Sequence, residues 1–280
     1  MTPIGMKLGI VALSGVSAYD SDAKAFFDAI EEDGGSLTDT EKGAVNTMVE
    51  SLKTNSLWTE FYVLYPIVGG TATTHKYNIK DPQDTDAAFR LTFGGGITHS
   101  PTGMLPNGTN GYAKTHFKPG NDFDSMTSTS YHVYLRTNVL DTNDCDMGFY
   151  QGTNPYYYSM IWTYHPSATF WDSQGYAGWI AAQQNPTTKL ISMNRESGTS
   201  LKGYRDGSQV GSTDTDAPGS IVGTNNDVNI MARSHPSTGH DLYSARENAL
   251  AAIGKGLSDS QVSDFNDIVV AYQTALSRNV

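Results

Sequence analysis

The stretch Leu201-Lys-Gly-Tyr-Arg-Asp-Gly-Ser-Gln-Val-Gly211 carries Asp206-Gly207 at its centre, the pair that supplies the φ > 0 residues of a tight two-residue turn. Its flanks therefore predict a β-hairpin. Downstream, Val228-Asn-Ile-Met-Ala-Arg233 alternates as a strand, Leu242 to Ala252 reads as another, and Ile253-Gly-Lys-Gly-Leu-Ser-Asp-Ser-Gln-Val262 leads into a helix. Ser258 and Gln261 have capping-box spacing, and Val262, Phe265, Val269, Tyr272 and Leu276 fall on one helical face. Together these elements describe a β-sheet with a helix latched onto it.

The same β character extends upstream to Trp58. Phe61 to Tyr65, Lys76 to Lys80, Ala88 to Phe93, Tyr112 to Phe117, Ser130 to Thr137 and Met147 to Tyr150 are separated by Gly, Pro, Asn and Asp clusters. Tyr156 to Tyr164, Ala168 to Trp171, Trp179 to Ala182 and Leu190 to Arg195 continue the series. Before Trp58 the pattern is helical. Ser21 or Asp22 caps a segment through Ile30 that Gly34-Gly35 ends, and Thr38-Asp-Thr-Glu41 is a capping box before the stripe Val45, Met48, Val49 and Leu52. The organisation expected is residues 1–56 as an N-terminal arm with helices for attachment or oligomerisation, and residues 57–280 as a β-sandwich closed by a helix over 258–276. The short apolar run Leu8 to Leu13 is interrupted by glycine and is read as part of an extended arm, not as a cleaved signal.

The 280 residues, 38% of them hydrophobic, suffice for one sandwich with a full core. With 18 basic and 29 acidic side chains the formal charge is −11, which repels a phosphate backbone and argues against nucleic acid. Cys145 is the single cysteine, so no intrachain disulfide can form and folding in the cytoplasm is expected. No run approaches the roughly 20 apolar residues of a membrane span, so no membrane insertion is expected.

Two sets of residues carry a resemblance. Tyr204-Arg-Asp-Gly207 and Gly256-Leu-Ser-Asp259, in the order hairpin, strand, strand, helix, resemble the C-terminal third of concanavalin A-like and laminin-G-like lectin domains. Leu57-Trp58, Tyr65-Pro-Ile-Val-Gly-Gly-Thr71, His75-Lys76, Asn78-Ile-Lys-Asp-Pro82, Asp86-Ala-Ala-Phe-Arg-Leu91 and Pro106-Asn-Gly-Thr-Asn-Gly-Tyr112 look like a segment of tailed-bacteriophage structural proteins that precedes such a sandwich. The resemblance implies a mainly-β, concanavalin A-like sandwich (jelly roll). It also implies a virion component, a fibre, spike or capsid decoration, made in the host cytoplasm. Its expected partners are other virion proteins, further copies of itself (a trimer) and a host-surface glycan. It transfers no catalytic or binding set.

The residues that could carry chemistry are few. No Glu-x-Asp-x-Glu run, nucleophile elbow or phosphate loop is present, and the histidines lack metal-ligand spacing. Tyr131-His132-Val133-Tyr134 with Arg136 superficially offers lyase chemistry, but its alternation predicts one core face and one exposed face. No catalytic residue is expected; a carbohydrate-active enzyme and a purely architectural subunit are the alternatives. His75 and His99, both near glycines, are read as ordinary hydrogen-bonded loop histidines, with a contact between them as the alternative. In the acidic loop, Asp141, Asn143, Asp144 and Asp146 can gather oxygen ligands for Ca²⁺, or form a solvated turn. Among the aromatics from Tyr156 to Trp179, the residues Tyr157, Trp171, Tyr176 and Trp179 are the candidate ligand-binding platform, since exposed rings stack on sugars and buried ones fill a core.

Overall fold

The computed structural model describes residues 19–152, 157–165, 170–174, 179–218 and 226–280, with only the backbone of 171–174. The arm 1–18, Tyr156, Tyr176 and the side chain of Trp171 lie outside the described residues.

The fold is the mainly-β sandwich expected. Among the described residues one sheet has eight strands, in the order Ser208–Asp214, Ser200–Arg205, Lys189–Ser197, Thr129–Leu135, Asn248–Gly254, Gly103–Pro106 and Ile97–Ser100, with Phe61–Tyr65 also paired to Asn248–Gly254. The second has nine among the described residues, running Trp179–Ile180, Phe170–Gln174, Tyr157–Ile161, Met147–Gln151, Asn229–Ile230, Tyr112–Lys114 and Thr92–Gly94, with the hairpin Arg233–His235 and Gly239–Asp241 attached to Met147–Gln151. The Asp206-Gly207 turn forms as predicted, with φ of 51° and 74°.

Period-two alternation builds the core. Along Thr129–Leu135, Tyr131, Val133 and Leu135 enter the cluster between the sheets, where they meet Phe149, Ile161, Phe170 and Ile230. The other face was expected to be exposed and is not: His132 and Tyr134 are buried because helices cover it. The Phe265 ring lies 4.9 Å from the His132 ring, and Tyr134 belongs to a second cluster with Val45, Val49, Leu52 and Val269. Helices Ser21–Glu32, Asp39–Thr54 and Asp259–Ala275 thus form a third layer on the eight-stranded sheet, and the cluster runs across the boundary expected near residue 57. Helices of this length are marginal alone, and burying each large apolar side chain contributes about 1.5–3 kcal/mol. Among the described residues no helix is long and apolar enough to cross a membrane.

Four strand expectations change, the first at Ala88 to Phe93, where a 3-10 turn over Asp86–Ala88 ends on Phe89 at φ 59° and the strand starts only at Thr92. Lys76 to Lys80 is irregular, since the Asn78 side chain accepts the Leu64 N–H at 3.0 Å in place of a ladder. Val228 to Arg233 splits into Asn229–Ile230 and Arg233–His235 because Met231 turns to φ 67°. The strand expected from Leu242 begins at Asn248, since before it Ser244 accepts the Arg246 N–H and the Arg246 side chain turns onto Val139, Asp144 and Asp146.

Candidate functional site

Of the four aromatics proposed from sequence, Tyr157 and Trp179 have described side chains, while Tyr176 and the Trp171 side chain lie outside the described residues. Tyr157 lies on the inward-facing parity of its strand and packs against the inter-sheet cluster. Trp179 sits at the sheet edge, 45% exposed, opposite Trp171 in register, and its N–H donates to Asp214 Oδ2 at 2.9 Å. A shallow cavity of about 280 Å³ beside it is lined by Ser212, Thr213 and Asp214.

The calcium expectation meets a different geometry. Asp144 and Asp146 turn inward onto Arg246, whose Nη1 lies 2.8 Å from Asp144 Oδ1 and 3.1 Å from Asp146 Oδ1 with no side-chain exposure. Asp141 contributes its backbone carbonyl to Arg246 and its carboxylate to the Asn143 N–H. A guanidinium occupies the place a cation would take. Among the described residues no three His, Cys, Asp or Glu side chains gather in a metal-ligating group.

Polar groups converge elsewhere, on the outer face of the nine-stranded sheet. Tyr112-Ala-Lys-Thr-His-Phe-Lys118 sends Ala113, Thr115 and Phe117 inward, so Tyr112, Lys114, His116 and Lys118 form a half-buried row on the outside. The Tyr112 ring lies across Gly94 of the neighbouring strand, where a Cβ would collide with it. On the Tyr112 ring stacks the imidazole of His240, carried over by the hairpin, with centroids 3.6 Å apart and planes 21° from parallel. Asn229, fully buried on the next strand, places Nδ2 2.7 Å from His240 Nδ1, while its Oδ1 has no partner among the described residues. Burial and then Lys114 push the His240 pKa down. Lys114 Nζ meets Asp227 Oδ2 at 2.9 Å, and the other Asp227 oxygen is buried without a partner among the described residues.

The hairpin that delivers His240 is braced. Arg233 holds Asp241 through two bonds of 2.8 and 2.7 Å and lies over the Tyr150 ring, which in turn packs against His235. Two cavities open along the row. One, of about 380 Å³, lies between Tyr112, Asn229, His235 and His240, and the other, of about 490 Å³, between Phe89, His116, Lys118 and Asp122. Lys114 and Asp227 line both. In the second, His116 Nε2 lies 2.8 Å from Thr92 Oγ1 and 3.3 Å from Asp86, and burial lowers its pKa. Phe89 and His116 both hold left-handed backbones, φ 59° and 60°, a strain that non-glycine residues carry where surrounding structure demands it.

None of these residues was singled out as a site from sequence. The alternation of a polar outer row with Ala113, Thr115 and Phe117 was legible, but Asp227, Asn229 and His240 come from more than a hundred residues away. No family model matches the sequence, and no curated protein matches it. Its structure is similar to domain 4 of an extracellular arabinanase from Geobacillus stearothermophilus, solved in complex with arabinotriose. The two are 14% identical, with a TM-score of 0.50 over 74% of this chain and 98% of that one. That similarity establishes a shared fold. A mutant Trypanosoma rangeli sialidase aligns more loosely, at 12% identity and TM-score 0.46 over 80% of this chain and 39% of that one.

Proposed function

We propose that this chain is a saccharide-binding β-sandwich whose ligand lies in the furrow under the Arg233–Asp241 hairpin. The observation that carries it is the meeting of the Tyr112 and His240 rings with Asn229 and the Lys114–Asp227 pair, where two buried acceptor oxygens lack partners among the described residues. Hydroxyl-rich ligands match such a mixture of rings, donors and acceptors, because each buried polar group left unmatched costs about 1–3 kcal/mol. The fold shared with a domain solved with arabinotriose is consistent with this role. The resemblance of the Trp58 to Tyr112 block to tailed-phage structural chains adds the setting. The module sits on a virion as a homo-oligomer and attaches to host-surface glycan without catalysis.

A glycan array probed with the purified chain tests the binding. Saccharide binding that is lost in His240→Ala and kept in Trp179→Ala is expected; loss in Trp179→Ala alone would move the site to the sheet edge. Mass spectrometry of purified particles tests the setting, and absence of the chain from them would overturn it. One observation favours a second reading: a Tyr/His pair in a groove is also what β-elimination of a uronate chain uses. Release of ultraviolet-absorbing unsaturated product from polyuronates would replace binding with lyase activity.

A further inference from the structure

The two cavities share one floor, and their chemistry specifies more than a saccharide. Tyr112, Lys114, His116 and Lys118 are successive outward positions; Tyr112 and Lys114, on the extended strand, are about 7 Å apart, close to the width of one sugar ring, and the chain then turns at His116, φ 60°. The Lys114–Asp227 pair stands between the cavities and lines both, so a ligand bound at the Tyr112–His240 end continues past that pair toward His116 and Lys118. Asp227 is 8% exposed and keeps one oxygen unpartnered among the described residues at the junction, where a hydroxyl from a ring on either side would satisfy it.

Charge narrows the class. Lys114 and Lys118 face Asp122 and Asp227, and Asp86 is already paired with Arg90 at 3.1 Å, so the furrow's charges balance in a chain that carries −11 overall. Asp122 accepts the Lys118 N–H at 2.5 Å, and burial raises its pKa. A carboxylated or sulfated chain would find no excess of positive charge there, whereas hydroxyl groups can donate to the aspartates and accept from the lysines and His116.

We infer that the furrow binds an extended, uncharged oligosaccharide along the row from Tyr112 to Lys118, with sugar rings on both sides of the Lys114–Asp227 pair. This rests on the saccharide reading above. Calorimetric titration of the full chain with neutral gluco-, xylo- and arabino-oligosaccharide ladders of one to six units tests it, with an oligogalacturonate ladder as the acidic counterpart. Affinity is expected to climb about tenfold or more from one to four units, as one additional well-made hydrogen bond would give. His116→Asn, which tolerates the left-handed backbone, and Lys118→Ala are expected to lose that increase while binding the shortest sugars as the parent does. His240→Ala is expected to weaken every length. Affinity flat beyond two units, unchanged tetramer binding by both His116→Asn and Lys118→Ala, or tighter binding of the acidic ladder would overturn the extended furrow and leave the saccharide reading standing. No binding to any ladder would remove both.

Discussion

Arg246 carries its charge with no exposed side-chain surface, and the acidic loop has the composition it has in order to face it. Asp144 and Asp146 neutralise the guanidinium, the carbonyls of Val139 and Asp141 take its remaining donors, and Ser244 Oγ donates to Asp146 at 2.8 Å. Removing one side of such a buried group leaves uncompensated charge, so Arg246→Met is expected to cost about 3–5 kcal/mol in urea unfolding. Burial and the adjacent Asp146 push the Asp144 carboxyl up to about 7 from an ordinary 3.8. Between those values the folded protein holds more protons than the unfolded chain, so this group alone makes stability fall as pH rises from about 4 to about 7. His75 and His132, held at about 3 by burial against an ordinary 6.5, act oppositely, and their contribution is lost as pH falls below 6.5. Asp144→Asn removes the compensating trend. Its melting temperature is expected to drop more between pH 7 and pH 5 than that of the parent, and an equal drop would show that Asp144 does not titrate there.

At the scale of elements, the helices are where local chemistry speaks most directly. Thr38 with Glu41 and Ser258 with Gln261 each form the reciprocal capping box that their spacing predicts. Ser258→Ala is expected to cost about 1 kcal/mol, measured by chemical denaturation. Because the cap also aims the helix at the sheet, hydrogen exchange should quicken along Asp259–Ala275 before the strands respond. Strands were legible as elements but not as surfaces. His132 and Tyr134 alternate as an outward face should, and the helical layer, Val45, Val49 and Leu52 with Phe265 and Val269, makes that face interior. The row from Tyr112 to Lys118 is the converse case, an outward face that stays open to become the furrow.

Across the whole molecule, Arg278 ties the C-terminus to all that the closing helix covers. Its guanidinium, 1% exposed, donates to the carbonyls of Ile67 at 2.7 Å, Ala249 at 2.9 Å and Pro66 at 3.1 Å, and to Gln273 Oε1 at 2.6 Å. Ile67, a β-branched residue at φ 48°, is held in a conformation it would otherwise avoid. Arg278→Ala takes the donor from the Ile67 carbonyl and from Gln273 Oε1, while Pro66 and Ala249 keep the Tyr272 hydroxyl and the Gln273 amide, and is expected to destabilise by about 2–3 kcal/mol in urea unfolding, since each unsatisfied buried group costs about 1–3 kcal/mol. The sequence by itself determined the sandwich class, the Asp206-Gly207 hairpin, the capped helices and the apolar stripe of the last one, because turn chemistry, capping and periodicity act over a few residues. Tertiary structure alone decided the helical layer over the second sheet face, the turning of Asp144 and Asp146 onto Arg246, and the meeting of Tyr112 with Asn229 and His240. Those pairings join residues about a hundred or more apart along the chain, and no local preference records which distant group will satisfy a buried charge or an unmatched oxygen.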